Sequence, residues 1–589
     1  MKLRRSLSWI GPIAAVVRQA ICPDDIGEKA YKKNIFFQRK SKMKQRITYL
    51  LPEGSTLTPD DIVLSENGVN VSTAEPPAIE KRVTAGLSEL PTELRDVFHN
   101  IHELHIRYTS RMNCEGSSPL VSRLPPGLHV LFTRRRSDSE VNLCPILHTI
   151  FSPTLRCHTT STSFSSPPIL SERFAHSSSL QYFHRLPKLL HFQGWLARTF
   201  CPGVFRGPCP NEVASLSYAS YIDIDFDAIS HAVTLTAVWR QGITAQAART
   251  PARLWREGDG LEVGVLVPEQ ADEPEELKLG GFLTVVGEDE TPGGTLFSFP
   301  SRHHPLPPST PATFKTSFQQ PTGLHPKLGI SLPRQYLAPP KDDGSCALHA
   351  YLTLPSALFL DRYQLDDAAL LTEHNLKALR SLSGEQDLEA PDWVVERWGS
   401  AALIELASPL LPSTNRTTLA DRREAPDWTA TIPLHLRYLQ APTPPTSPPT
   451  PKKRRETNDS SSYIDLPIPH PILFWACSAQ EGLKMSTNPF DRVNLGYDGL
   501  FGPKTMFYHV PPSASTEASA TGLLEEVLRV PVLDARWGAW VQVGTLVAVV
   551  VGFAWVCLGL FRGMGRGKVK GGEKSRRVRD VSEASVKKD

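Results

Sequence analysis

Hydrophobic and polar positions along this chain alternate over most of its length. A period of two puts successive side chains on opposite faces of a strand. Residues 46–51 (RITYLL) and 127–133 (GLHVLFT) read as strands. Leu104, Ile106 and Tyr108 alternate with His105, Arg107 and Thr109, which predicts a half-buried strand. In YIDIDFD, alternation turns Ile222, Ile224 and Phe226 to a core and Asp223, Asp225 and Asp227 to water. Val233, Leu235, Ala237 and Trp239 share a face, and residues 261–267 and 281–287 repeat the β signal up to Pro300. A helical period appears at Leu87, Leu90, Leu94, Val97 and Ile101, with Pro91 suited to a first turn.

Beyond residue 325 the β pattern resumes. Residues 346–354 (CALHAYLTL) predict a strand, with Cys346 and His349 on opposite faces and so not a catalytic dyad. After 357–367 a helical stretch is expected to end near Arg380. Strands follow at 402–406, at Ile432, Leu434, Leu436 and Tyr438, and at 464–478. The block closes with NPFDRVNLGYDGLF and KTMFYHV. Cys346 and Cys477 form a possible disulfide, which requires Cα atoms within about 7 Å.

The alternation stops at Trp537. Residues 537–561 carry no charge, and as a helix they reach roughly 37 Å, enough to cross a hydrocarbon core of about 30 Å with some tilt. Trp537 and Trp540 suit the interface at one end. The following residues, 562–589, hold ten Lys/Arg against four Asp/Glu, so the positive-inside rule places them in the cytoplasm and the preceding body in the secretory lumen. Gly544, Ala548 and Gly552 recur every fourth position on one side, a face on which a second membrane helix could pack closely.

These patterns divide the chain. Residues 1–42 are read as a disordered leader, because Gly11-Pro12 interrupts the apolar run after MKLRR. The organisation is then a β-rich region at 43–299 and a Pro-rich linker at 300–325. A second β domain follows at 326–510, with a low-complexity insertion at 441–462, and then a juxtamembrane segment at 511–536, the span and the tail. The predicted fold class is mainly β: an α+β first block, a β-sandwich-like second block and one C-terminal transmembrane helix.

Charge adds one constraint. The net +3 comes from the tail, since 54 Lys/Arg and 57 Asp/Glu remain elsewhere. A nearly neutral body argues against a nucleic-acid partner. KKRR at 452–455 reads as a solvated loop. Asn70, Asn415 and Asn458 begin glycosylation sequons, usable only in the lumen. Cys144, Cys157, Cys201 and Cys209 lack zinc spacing and are available for disulfides whose pairing the sequence leaves open. His303-His304 is too short a tract for a metal site, and GMGRGKV at 563–569 lacks the residues of a phosphate loop. No metal or cofactor is expected. The D-x-D carboxylates Asp223 and Asp225 support one enzymatic alternative, a glycosyl-processing site with a metal-bridged nucleotide sugar. A tail-anchored cytosolic scaffold is a third reading.

The runs CALHAYLTLPSALFLDRYQL, PDWVVERWGSAALIEL, TIPLHLRYLQ and HPILFWAC resemble the PIG-X family, in particular its fungal members named for protease B non-derepressible. RITYLLP, PGLHVLFT and LSERFAHSSSLQYF are similar to the fungal N-terminal region. The resemblance runs from about Met43 to the end of the span. It implies a single-pass endoplasmic-reticulum glycoprotein without chemistry of its own. Such a subunit stabilises a PIG-M-type multi-spanning catalytic subunit that adds the first mannose in glycosylphosphatidylinositol (GPI) anchor synthesis. The fungal members are also linked to the folding of other lumenal proteins.

Overall fold

The computed structural model describes residues 43–566 with internal exceptions, the longest at 168–178, 241–259, 408–426 and 442–462. The leader, the low-complexity insertion, most of the tail, Asn415 and Asn458 therefore lie outside the described residues.

The first block supplies strands β1 (Lys44–Leu50), β2 (Ile62–Ser65), β3 (Gly68–Val71), β4 (Ala78–Gly86), β5 (Ile101–Thr109), β6 (Gly127–Arg134) and β7 (Ser179–His184). It continues with β8 (Tyr221–Asp227), β9 (Ala232–Trp239), β10 (Gly260–Glu269), β11 (Glu276–Val285) and β12 (Gly293–Pro300). Ten of them form one sheet in the order β12-β11-β10-β1-β4-β9-β8-β5-β6-β7, while β2 and β3 pair separately. All its neighbours are antiparallel except β1 and β10. Helices α1 (Thr92–Phe98), α2 (Leu143–Ile150), α3 (Thr160–Ser163), α4 (Leu190–Phe200) and α5 (Pro208–Ser215) belong to the same block. The face that presents Leu104, Ile106 and Phe226 shares a core with Leu94 and Phe98 of α1, Leu147 of α2 and Phe192 of α4.

The second block begins with β13 (His303–Pro305), β14 (Lys315–Phe318), β15 (Lys327–Leu332), β16 (Ala347–Pro355) and β17 (Leu358–Phe359). After the short helix α6 (Ala368–Glu373) come β18 (Leu376–Gly384), β19 (Gly399–Leu406), β20 (Trp428–Pro433), β21 (His435–Leu436), β22 (Tyr463–Pro469), β23 (Ile472–Ser478), β24 (Thr505–Val510) and β25 (Glu525–Pro531). A six-stranded sheet, β13-β24-β23-β16-β19-β18, lies against the three-stranded β14-β15-β20. Leu348, Leu352 and Trp475 from the larger sheet meet Ile330, Ala430 and Ile432 from the smaller in one core. Two sheets closing over a shared apolar layer make a sandwich. The other face of the larger sheet, with Tyr351, Leu403 and Phe474, joins the core of the first block. Gln181 donates to the Tyr351 hydroxyl at 3.1 Å, and the Trp398 indole donates to the Gln181 carbonyl at 3.1 Å. The chain is thus mainly β, and it ends in one long apolar helix, α7 (Gly538–Arg566).

Several local expectations change. The helical stretch expected up to Arg380 stops at Glu373, because Asn375 takes a left-handed backbone (φ 55°) and its amide donates to the Thr429 carbonyl at 2.8 Å. A left-handed residue just past a helix end is a common stop, and the following LKALRSLSG is strand β18. The helix read from Leu87 to Ile101 is a 3-10 turn at Leu87–Glu89 and then α1, while Ile101 already opens β5. The strand read through Tyr438 ends two residues earlier, and Tyr438 is exposed. Segment 300–325 carries β13 and β14, and segment 511–536 carries β25.

Candidate functional site

The D-x-D strand was the one place where sequence chemistry pointed to catalysis. Strand β8 lies between β5 and β9, so both its edges are paired. Asp223 is buried, not turned to water. Register sets its neighbours: Arg107 on β5 and Thr236 on β9 face it directly. Arg107 Nε and Nη2 donate to the two Asp223 oxygens at 2.6 and 2.5 Å. One pair further along, His105 Nδ1 and Asp225 Oδ1 lie 2.5 Å apart. His105 and Arg107 are themselves buried, so β5 is covered on both faces and not half-buried as alternation suggested. The row through Asp223 continues across the sheet through Thr236, Arg82 and Arg46 to Glu262, which pairs with Arg46 at 2.7 Å.

Electrostatics agree with a brace. Burial disfavours the charged Arg107 guanidinium, but the carboxylate of Asp223, helped by Tyr221 and Asp225, more than offsets this and holds it firmly charged. A metal-bridging D-x-D pair needs carboxylate oxygens converging on a shared open position. Here both Asp223 oxygens accept from a bidentate guanidinium, and Asp225 is bound to His105 on the neighbouring strand. The geometry therefore makes this a cross-strand ladder of paired polar side chains, with Arg107 and Asp223 as its buried ion pair. Asp227 sits at the strand end and accepts from the Ile229 and Ser230 amides at 3.0 and 3.3 Å, shaping the turn into β9.

A second cluster escaped the sequence reading. His303, on the parallel pair of β13 with β24, lies 2.8 Å from His509 and 3.2 Å from Asp498. The Tyr497 hydroxyl is 3.4 Å from the same His509 nitrogen. His303 and Asp498 are buried, and they stand among the rings of Tyr497 and Phe507. The partners are about two hundred positions apart, and no local spacing announces them. Among the described residues no group of three or more His, Cys, Asp and Glu is arranged to hold a metal ion.

Among the described residues, six cysteines form three bridges: Cys144–Cys157, Cys201–Cys209 and Cys346–Cys477. The last joins adjacent strands β16 and β23, where Ala347 faces Ala476, and its Cα atoms are 4.1 Å apart. Cys557, within α7, is free. Asn70 lies on β3 opposite Val63.

Helix α7 contains a 25-residue stretch, Gly538–Arg562, that is long and apolar enough to cross a membrane, and none of its most apolar part is buried against the body. Gly544, Ala548 and Gly552 lie on it and are exposed, and a side chain built at either glycine would meet nothing within 4 Å. Such a helix in water would expose a continuous apolar surface, and its length and exposure are compatible with a single-pass membrane anchor.

Comparison with known proteins covers both blocks. The PIG-X / PBN1 family profile matches residues 321–561, from the turn before β15 through α7 to Phe561. Among similar proteins, Protein pbn1 of Emericella nidulans is 43% identical over 532 residues, covering 87% of this chain and 95% of that protein. Protein pbn1 of Aspergillus fumigatus is 41% identical, covering 87% and 94%. Protein pbn1 of Neurospora crassa is 38% identical, covering 88% and 95%. Similarity at this level over both blocks and the anchor makes the chain a member of the PIG-X / PBN1 family.

Proposed function

We propose that this chain is the non-catalytic, membrane-anchored subunit that stabilises the endoplasmic-reticulum mannosyltransferase adding the first mannose to the GPI-anchor precursor. Its body is lumenal and its basic tail cytoplasmic. Its partner is a PIG-M-type multi-spanning catalytic subunit, and it also aids the folding of other lumenal proteins. Membership of the PIG-X / PBN1 family supports the reading. The observation that carries it is α7: an exposed apolar helix with Gly544, Ala548 and Gly552 on one side, attached to a body in which Arg107 holds Asp223 and His105 holds Asp225.

The mechanism is linkage. A subunit that binds only the folded catalytic partner stabilises it by mass action, by about 2.7 kcal/mol at a hundredfold excess over Kd. Small residues let two membrane helices approach until their backbones touch, and packing rather than hydrophobicity then drives association.

Affinity purification in mild detergent with mass spectrometry tests the reading. Recovery of a multi-spanning mannosyltransferase is expected, and Gly544→Leu with Gly552→Leu lowers that recovery while membrane insertion is unchanged. Equal recovery with the double variant removes the helix face from the proposal. Sidedness is checked separately in sealed microsomes. The body resists added protease, and a glycosidase shifts its mass through Asn70, Asn415 or Asn458. Cleavage of the body from outside refutes the lumenal placement.

A further inference from the structure

We propose that the first block binds the end of a phospholipid acyl chain in an apolar groove between its sheet and its helices. The groove lies where strands β4, β8 and β9 present Val83, Ile224 and Leu235 to helices α1, α2 and α4, which contribute Leu94, Ile146 and Trp195. Every side chain lining it is apolar, and the cavity measures about 100 Å³. Val83, Ile224, Leu235, Ile146 and Trp195 are each partly exposed, so the groove opens at the surface and is not sealed in the core.

Size and polarity select the occupant. A well-characterised apolar cavity of about 150 Å³ stays dry and takes up benzene, so a somewhat smaller one suits a few methylenes. A helix is about 10 Å across and cannot enter. An extended peptide would bring N–H and C=O groups, for which the lining side chains offer no partners. An alkyl chain has no such groups, and it replaces water on an apolar surface without any hydrogen bond being lost. The source of the chain follows from the anchor. Only residues 532–537 separate β25 from α7, an extended reach of about 25 Å. The body is thereby held beside a bilayer, where acyl chains are the abundant hydrocarbon. This inference rests on the groove and the anchor and not on the proposed mannosyltransferase partnership.

The test uses the full chain in nanodiscs that contain phosphatidylcholine with a diazirine at the end of one acyl chain. After photolysis and digestion, labelled peptides are expected from α1, α4 and β8 as well as from α7. Ile224→Trp fills the groove and lowers body labelling by about tenfold. Labelling of α7 is unchanged and serves as the internal standard. Ile224→Leu keeps body labelling. Where Ile224→Trp lowers the melting temperature, Val233→Trp at the partly exposed rim replaces it in the same comparison. Labelling confined to α7, or body labelling that the filled variants leave intact, overturns the proposal.

Discussion

At the residue scale, the two properties that matter most are buried charge and buried imidazole. Arg107 and Asp223 neutralise each other inside the sheet. Removing one partner of a buried pair leaves the other uncompensated, which costs about 3–5 kcal/mol, whereas replacing both by well-packed apolar groups is often neutral. Asp223→Ala is therefore expected to lower the urea midpoint sharply, and Arg107→Met with Asp223→Leu to recover most of the loss. A catalytic pair would show no such recovery of activity in the double variant. The histidines give the pH dependence. Burial pushes His129, His184 and His349 down from about 6.5 to about 4. Their stability contribution is complete above the unfolded value and is lost as pH falls toward the folded one. Between those limits the unfolded chain binds more protons, so each unit of acidification costs at most about 1.4 kcal/mol per histidine. Thermal unfolding at pH 7.5 and pH 5 checks this, and equal stability at both would contradict it.

At the element scale, cross-strand register decides which residues meet. The bridge Cys346–Cys477 closes a separation of 131 residues between neighbouring strands of the sandwich. Replacing both cysteines by alanine is expected to lower stability by roughly 2–4 kcal/mol, measured as a shift in the urea midpoint under non-reducing conditions. The same logic explains what alternation missed. A period of two identifies a strand but not how many of its faces are covered. On the polar faces of β5 and β8, His105, Arg107 and Asp223 are buried all the same, because partners on the adjacent strand satisfy one another. Likewise α6 could not be bounded from its apolar spacing, because its stop is one asparagine whose amide reaches Thr429 in a distant strand.

At the scale of the whole molecule, the last strand before the anchor is held by the first block. Glu525 opens β25, is buried, and pairs with Arg185 at 3.0 Å and Arg111 at 3.3 Å. Its position ties the anchor to both blocks, since β25 pairs with β22 of the second. Glu525→Ala leaves two partly buried arginines without their shared carboxylate and is expected to expose β25 to limited proteolysis. Unchanged cleavage would show that β22 alone holds the strand. Arg156 and Asp392, 3.2 Å apart, make a further tie between the blocks.

By itself, the amino-acid pattern determined the β character, the position of the long apolar helix and the basic tail, because each depends on local period, local charge or a short run. The tertiary structure alone decided the rest. It turned Asp223 and Asp225 into a ladder, drew His303 to Asp498 and His509, brought Cys346 beside Cys477 across 131 residues and opened the groove beneath α1 and α4. Those outcomes depend on which strands become neighbours, and partners such as Lys44 with Gly260 or His303 with His509 stand about two hundred residues apart, a separation that no local period records.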